Sequence, residues 1–313
     1  MTDRSGAVFC PLMGRFMVVL ALMATVFFGY RTWSSAQQSP PRPQVPREWG
    51  TPGLIAEIPK SSEIQESSGL ARSYRQPKTY FTHNDSGDSA RFFQFDLTGK
   101  VLATYTISGA SALDWEDMAS ARVQGQPLLF LGDIGDNAQK RASITVWVVS
   151  EPVAGADPNV KPQARLTLTY PDSAHNAETL LVHPKTQTLE IVTKTADGKS
   201  GVYRHIGPLT TGNYTLKRVG DVNYVGAFEA GRLTTGGDVS PEGDFVVIRT
   251  YLGGFEYAVP PNGEWWKSTP RRIQLAAEPQ GEAIAYNLQG DQILTTSEGT
   301  PCPVSAVDRK ARR

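Results

Sequence analysis

One short segment type occurs five times along the chain, and that repeat constrains the fold more than any other feature. It joins an acidic or polar turn to small and apolar residues: Glu66-Ser-Ser-Gly-Leu-Ala71, Asp114-Trp-Glu-Asp-Met-Ala119, Asn176-Ala-Glu-Thr-Leu-Leu181, Gly236-Gly-Asp-Val-Ser240 and Gln280-Gly-Glu-Ala-Ile-Ala285. With Gly69, Asp117, Thr179, Asp238 and Ala283 taken as equivalent, the intervals are 48, 62, 59 and 45 residues. A four-stranded propeller blade takes roughly 40–50 residues plus loops. The apolar runs between the repeats are short, as in Thr79–Thr82, Leu128–Leu131, Ile144–Val149, Leu189–Thr193 and Phe245–Arg249. Gly, Asp, Asn or Pro breaks nearly all of them, and no 3.6-residue period is sustained. The chain therefore reads as all-β.

Each unit resolves into four strands, except the last. The fifth offers only Ala283–Tyr286, Gln292–Thr296 and Pro303–Val307, while Leu54–Ile58 stands unassigned at the other end. Pairing that N-terminal strand with the fifth unit closes a ring and removes open sheet edges. A β-sandwich needs neither the repeat nor this matched deficit. Five blades are counted, and six remain open if a long interval hides a degenerate one.

The N-terminal apolar segment lies outside this fold. Phe16 to Tyr30 is an uncharged run preceded by Arg4 and Arg15 and followed by Arg31. It is shorter than the roughly 20 residues of a spanning helix and fits the apolar region of a signal peptide, with Ser34 and Ala36 as small residues before a cleavage site. Residues 1–36 are thus a signal peptide or membrane anchor, and residues 37–52 a Pro-rich linker carrying Pro40, Pro41, Pro43, Pro46 and Pro52. Residues 53–310 form the propeller and 311–313 a basic tail. The propeller is expected to be exported: periplasmic, extracellular, or anchored outside the cytoplasm, with membrane contact only through the N-terminal segment. Cys302 is the one cysteine beyond the leader, so no internal disulfide supports the domain. With 31 Lys+Arg balancing 31 Asp+Glu, nucleic acid is not an expected partner.

In a propeller the innermost strands start at one mouth of the central channel, and the hairpins between second and third strands open on the same face. The inner-strand starts carry Glu66, Asp114, Glu116, Asp117, Glu178, Asp238 and Glu282. Carboxylates crowded around a channel raise one another's pKa unless a cation sits among them, and hard oxygen ligands favour Ca²⁺ or another divalent metal. The metal candidates are Glu66, Glu116, Glu178, Asp238 and Glu282. The second-strand ends add Asn84, Asp85, Asp133, Asp136, Asn137, Lys194, Arg249, Tyr251 and Glu298 as ligand-binding candidates. The same Asp, Asn and Gly clusters are also what tight turns demand. Lys194 and Arg249 would suit a small anionic molecule. His83 and Glu116 are the candidate catalytic groups, His83 as a general base. No phosphate loop, nucleophile elbow or His-Glu-x-x-His pair is present.

The order of leader, linker and acidic inner-strand repeats, carried by Glu66–Ala71, His83–Asp88, Asp114–Ala119, Asp133–Asn137, Asp238–Asp244 and Gln280–Glu298, resembles the secreted bacterial β-propellers of the broad six-bladed TolB-like group. That group includes sugar-lactone hydrolases of the gluconolactonase type and, more distantly, β-propeller phytases. The resemblance implies a divalent metal in the channel and a nearby carboxylate acting in water attack, with Glu66 or Glu116 in the glutamate's place and Asp238 or Glu282 completing the set. Two functions follow as expectations. One is an exported monomeric module binding a small anionic molecule or an extracytoplasmic protein. The other is a metal-dependent hydrolase of a lactone or phosphoester. Binding is favoured, because no complete catalytic set is visible.

Overall fold

The computed structural model describes residues 48–153, 155–224 and 228–310. The leader, most of the linker and the basic tail lie outside the described residues. Among the described residues, twenty-two strands follow in chain order. The first blade's segment supplies β1 (Gly53–Ile58), β2 (Ser67–Arg72), β3 (Thr79–Asn84), β4 (Arg91–Asp96) and β5 (Val101–Ile107). The second supplies β6 (Trp115–Val123), β7 (Gln126–Asp133), β8 (Ile144–Ser150), β9 (Asn159–Val160) and β10 (Pro162–Thr169). The third supplies β11 (Ala177–Val182), β12 (Leu189–Thr193), β13 (Lys199–His205), β14 (Gly212–Thr215) and β15 (Lys217–Asn223). The last two supply β16 (Thr234–Val239), β17 (Phe245–Thr250), β18 (Gly253–Ala258), β19 (Arg271–Ile273), β20 (Gly281–Tyr286), β21 (Gln292–Ser297) and β22 (Cys302–Asp308).

They form five separate sheets, ordered β2-β3-β4-β5-β9, β6-β7-β8-β10-β14, β11-β12-β13-β15, β16-β17-β18-β19 and β20-β21-β22-β1. The inner strands β2, β6, β11, β16 and β20 touch their neighbours in a closed cycle, β20 returning to β2. The expected closure holds: β1 pairs antiparallel with β22 and completes the fifth blade. Two strands were not foreseen. β9 and β14 each join, parallel, the outer strand of a blade, β9 on β5 and β14 on β10. The continuous stretch 212–223 is therefore split between two blades, β14 joining the second and β15 the third.

The core explains why the apolar runs are continuous. Each blade is packed on both faces, so successive residues of a strand enter different clusters. Phe92 packs between the first and second blades, while Phe93 packs between the first and fifth. Ile191 joins the cluster between the second and third blades, while Val192 joins that between the third and fourth. Val246 and Ile248 face the third blade, and Val247 faces the fifth. Five clusters fill five gaps, one per blade interface. Trp265 and Trp266 are buried in the cluster of the third and fourth blades, as blade packing rather than exposed stacking surface.

Close approach at the hub explains one glycine. A Cβ on Gly69 would lie 2.4 Å from His83 Nε2 and 2.7 Å from the Met118 backbone nitrogen. The neighbouring inner strand fits only because no side chain is there. Gly69→Ala is expected to destabilise the propeller by about 1–3 kcal/mol in denaturant unfolding. Gly53→Ala, where a Cβ meets nothing within 4 Å, should stay within about 0.5 kcal/mol.

Candidate functional site: an acidic hub

The channel mouth is built by one backbone device repeated five times. In every inner strand the register with the second strand skips one residue, a β-bulge that re-aims a side chain. Ser67 pairs with Asn84 and Gly69 with His83, so Ser68 is the extra residue. The same slip isolates Glu116 in β6, Glu178 in β11, Thr235 in β16 and Glu282 in β20. Ser68, Glu116, Glu178, Thr235 and Glu282 thus occupy equivalent positions, one from each blade. The residue after each second strand supplies a further set: Asp85, Ile134, Lys194, Tyr251 and Glu298.

The bulge register also corrects the repeat alignment. Gly236, not Asp238, is the equivalent of Gly69, Asp117, Thr179 and Ala283. Asp238 lies two residues further down the inner strand, at the far end from the mouth. There it is buried, ion-paired with Arg72, and it accepts hydrogen bonds from the Tyr286 and Val239 amides at 2.8 Å each. It therefore does not join the mouth carboxylates. Asp117, just below the bulges, spans the hub and accepts from the amides of Met118, Leu180 and Gly237.

Glu116, Glu178 and Glu282 do converge. They are 3%, 4% and 3% exposed, and each offers an oxygen within 4.8 Å of the others. Two more triads meet the same limit, Asp85–Asp114–Glu116 and Asp85–Glu282–Glu298. Glu66 sits outside all three, exposed at the lip, with its backbone bridged to Glu298. Lys194 Nζ donates to both Glu178 oxygens at 2.5 Å and to the Tyr251 hydroxyl at 2.9 Å. Tyr251 in turn donates to Glu282 Oε1 at 3.3 Å. Gln280 Nε2 bridges Glu282 and Glu298, and the Ser68 hydroxyl reaches Glu282 Oε2 at 3.3 Å. Among the described residues no hydrogen-bond donor lies against the Glu116 carboxylate.

The electrostatics follow from burial and crowding. Burial, then the charges of Glu178, Asp85, Asp114 and Glu282, push Glu116 well above the usual carboxylate range. Burial raises Glu282, opposed by the hydrogen bond from Gln280 and the charge of Lys194. Burial also raises Glu178, against the pull of Lys194, and raises Asp114, reinforced by Asp85. Glu298 is pushed up to about 7 by burial and by the charges of Glu282 and Asp85. Carboxylates this close, from separate elements, with Glu116 and Asp114 both lacking a hydrogen-bond donor among the described residues, have the donor chemistry of a hard-cation site.

Several expected site residues serve the fold instead. His83 is fully buried, its Nδ1 2.9 Å from the Asn84 carbonyl oxygen and its ring edge-on to Trp115. Burial lowers its pKa, and it does not open onto the mouth as a general base would. Arg249 is buried in an ion pair with Glu278 at 2.5 Å and donates to the Ala283 and Thr296 carbonyls. It is not available for an anion. Asn84 caps the approach to β2, accepting from the Gln65 and Glu66 amides. Asp133 pairs with Arg141 at 2.8 Å, Asp136 accepts from the Arg141 amide, and Asn137 accepts from Asn176. Asp133 and Asp136 thus brace the second blade's own loop through Arg141, and Asn137 ties that loop to the third blade. The sequence-based metal set lacked Asp85, Asp114 and Glu298. Asp85 and Glu298 follow Gly69 and Ala283 by 16 and 15 residues, and that near-equal spacing is the signal that could have grouped them; Asp114 precedes its repeat and shares no such spacing.

No family model matches the chain, and no curated protein matches it. Among solved structures it is similar to a gluconolactonase from Xanthomonas campestris, at 12% identity and a TM-score of 0.47, covering 85% of this chain and 97% of that one. It is also similar to the PQQ-bound form of an aldose sugar dehydrogenase from Streptomyces coelicolor, at 10% identity and a TM-score of 0.46, covering 84% and 99%. The likeness is one of β-propeller fold.

Arg249→Met leaves Glu278 charged and buried, and should cost about 3–5 kcal/mol; the Arg249→Met/Glu278→Gln double variant should recover most of it in the same denaturant assay. The hub makes a second, pH-dependent prediction. Glu298 binds its proton more tightly in the fold than in the unfolded chain, rising from 4.5 to about 7. Its contribution is therefore full below the unfolded value and is lost as pH rises through about 7. In chelator, the melting temperature should fall from about pH 5 to about pH 8, and Glu298→Gln should flatten that fall.

Proposed function

We propose that the chain is an exported propeller whose hub binds a hard divalent cation, Ca²⁺ as the first candidate, and whose mouth binds a small anionic molecule or an extracytoplasmic protein through that ion. The observation that carries the reading is Glu116: a buried carboxylate with no hydrogen-bond donor among the described residues, facing one carboxylate from its own blade and three from three others. A bound cation relieves that repulsion where no side chain does. Asp85, Asp114, Glu116, Glu282 and Glu298 would hold the ion, with Glu178 beside them. Export rests on the Phe16–Tyr30 run and the Pro-rich linker.

A second reading, a metal-dependent hydrolase of a lactone or phosphoester, is favoured by Glu298. Its carboxyl titrates near neutrality, lies in a triad with Asp85 and Glu282, and reaches the mouth. A bound ion would polarise the substrate oxygen. Glu298 would exchange a proton with water or the leaving oxygen, and Tyr251 and Gln280 would keep Glu282 oriented.

Saturating Ca²⁺ should raise the melting temperature by about 5 °C or more, since one site filled a hundredfold above its dissociation constant adds about 2.7 kcal/mol. Glu116→Gln and Glu282→Gln should each abolish the response. No response from the unaltered protein to Ca²⁺, Mg²⁺, Mn²⁺ or Zn²⁺ refutes the cation hub. Turnover of any member of a lactone and phosphomonoester panel, lost in Glu298→Gln, selects the hydrolase, and a blank panel leaves binding.

A further inference from the structure

The three carboxylate triads are not equivalent, and the difference lies in Lys194. Its ammonium bonds both oxygens of Glu178 and is held there by the Tyr251 hydroxyl. The Tyr251 ring adds a cation–π contact, 4.9 Å from Nζ to the centroid. Lys194 follows β12 at the position that Asp85 and Glu298 occupy in their own blades. One blade thus sends a cation where two others send carboxylates. The innermost triad, Glu116–Glu178–Glu282, contains Glu178, whereas both triads sharing Asp85 do without it. Glu116 remains buried, without a donor, and aimed at the outer carboxylates.

Resting on the cation reading above, we propose that Lys194 is a tethered, permanent cation that fills the inner triad, so that the exchangeable divalent ion is confined to the outer position built on Asp85. A divalent ion in the inner triad would face the ammonium across a shared carboxylate, in a buried setting where such repulsion is poorly screened. Outside the inner triad the carboxylates fall into two triads, Asp85–Asp114–Glu116 and Asp85–Glu282–Glu298, which exclude Glu178 and share Asp85, so that they hold one ion between them. The hub therefore takes one ion, held near the mouth where a ligand can reach it. Glu178 is a partner of Lys194 rather than a metal ligand.

The test is Ca²⁺ titration by calorimetry, with Tb³⁺ luminescence as a second probe, on the whole chain and three variants whose folding is checked by circular dichroism. The unaltered protein should bind one ion. Asp85→Asn should weaken binding by about thirtyfold or more, since losing even an outer-shell partner costs about 10–100-fold. The Lys194→Met/Glu178→Gln double variant removes both charges and leaves no buried ion unpaired, so it should fold and keep its affinity within about threefold. Lys194→Met alone should take up a second ion. If the double variant loses affinity as Asp85→Asn does, Glu178 is a ligand and the proposal falls. One ion at unchanged affinity in Lys194→Met overturns it too. Absence of binding by every protein instead refutes the underlying cation reading, a result distinct from either.

Discussion

Mutual repulsion among carboxylates shielded from bulk water is the constraint around which this molecule is organised. Three glutamates meet within 4.8 Å at the head of the channel, with Asp85, Asp114 and Glu298 above them. Such a cluster is costly to assemble unless protons or cations compensate it. The chain supplies one cation itself, Lys194, and leaves Glu116 without any donor among the described residues. Everything proposed for the function follows from that imbalance.

The fold tolerates the imbalance because the hub is rigid. Five interblade clusters hold five inner strands in a ring, and the bulge in each strand fixes where its extra side chain points. Below the acidic layer Asp117 ties three inner strands through backbone amides, and the Arg72–Asp238 pair closes the far end. Both carboxylates at the bottom of the channel accept several hydrogen bonds, whereas Glu116 at its top accepts none among the described residues. That asymmetry separates structural carboxylates from those available to a ligand.

The repeat made the architecture legible in the sequence. Double-sided burial erased simple alternation, but it left the strand lengths, turns and acidic segments at blade intervals, and the stray strand Leu54–Ile58 marked the closure. The site was legible only in part. Glu116, Glu178 and Glu282 share a column because their bulges are equivalent, whereas blade four carries Gly236-Gly-Asp238 and misled the alignment by two residues. A bulge has no residue signature, so nothing in the letters separates Thr235 from Asp238. His83 and Arg249 show a second limit. A polar side chain at a strand end reads the same whether it faces the channel or, like Arg249 against Glu278, is sealed between two blades. The parallel additions β9 and β14 are set by long-range pairing that local propensity does not encode.

The most direct test is an anomalous-scattering map from crystals grown with Mn²⁺ or Tb³⁺. The account predicts one peak beside Asp85, shared with Asp114 and Glu116 or with Glu282 and Glu298, at oxygen distances of about 2.0–2.6 Å, with Lys194 still on Glu178. A hub without a peak, its carboxyl groups joined by shared protons or water, would contradict it.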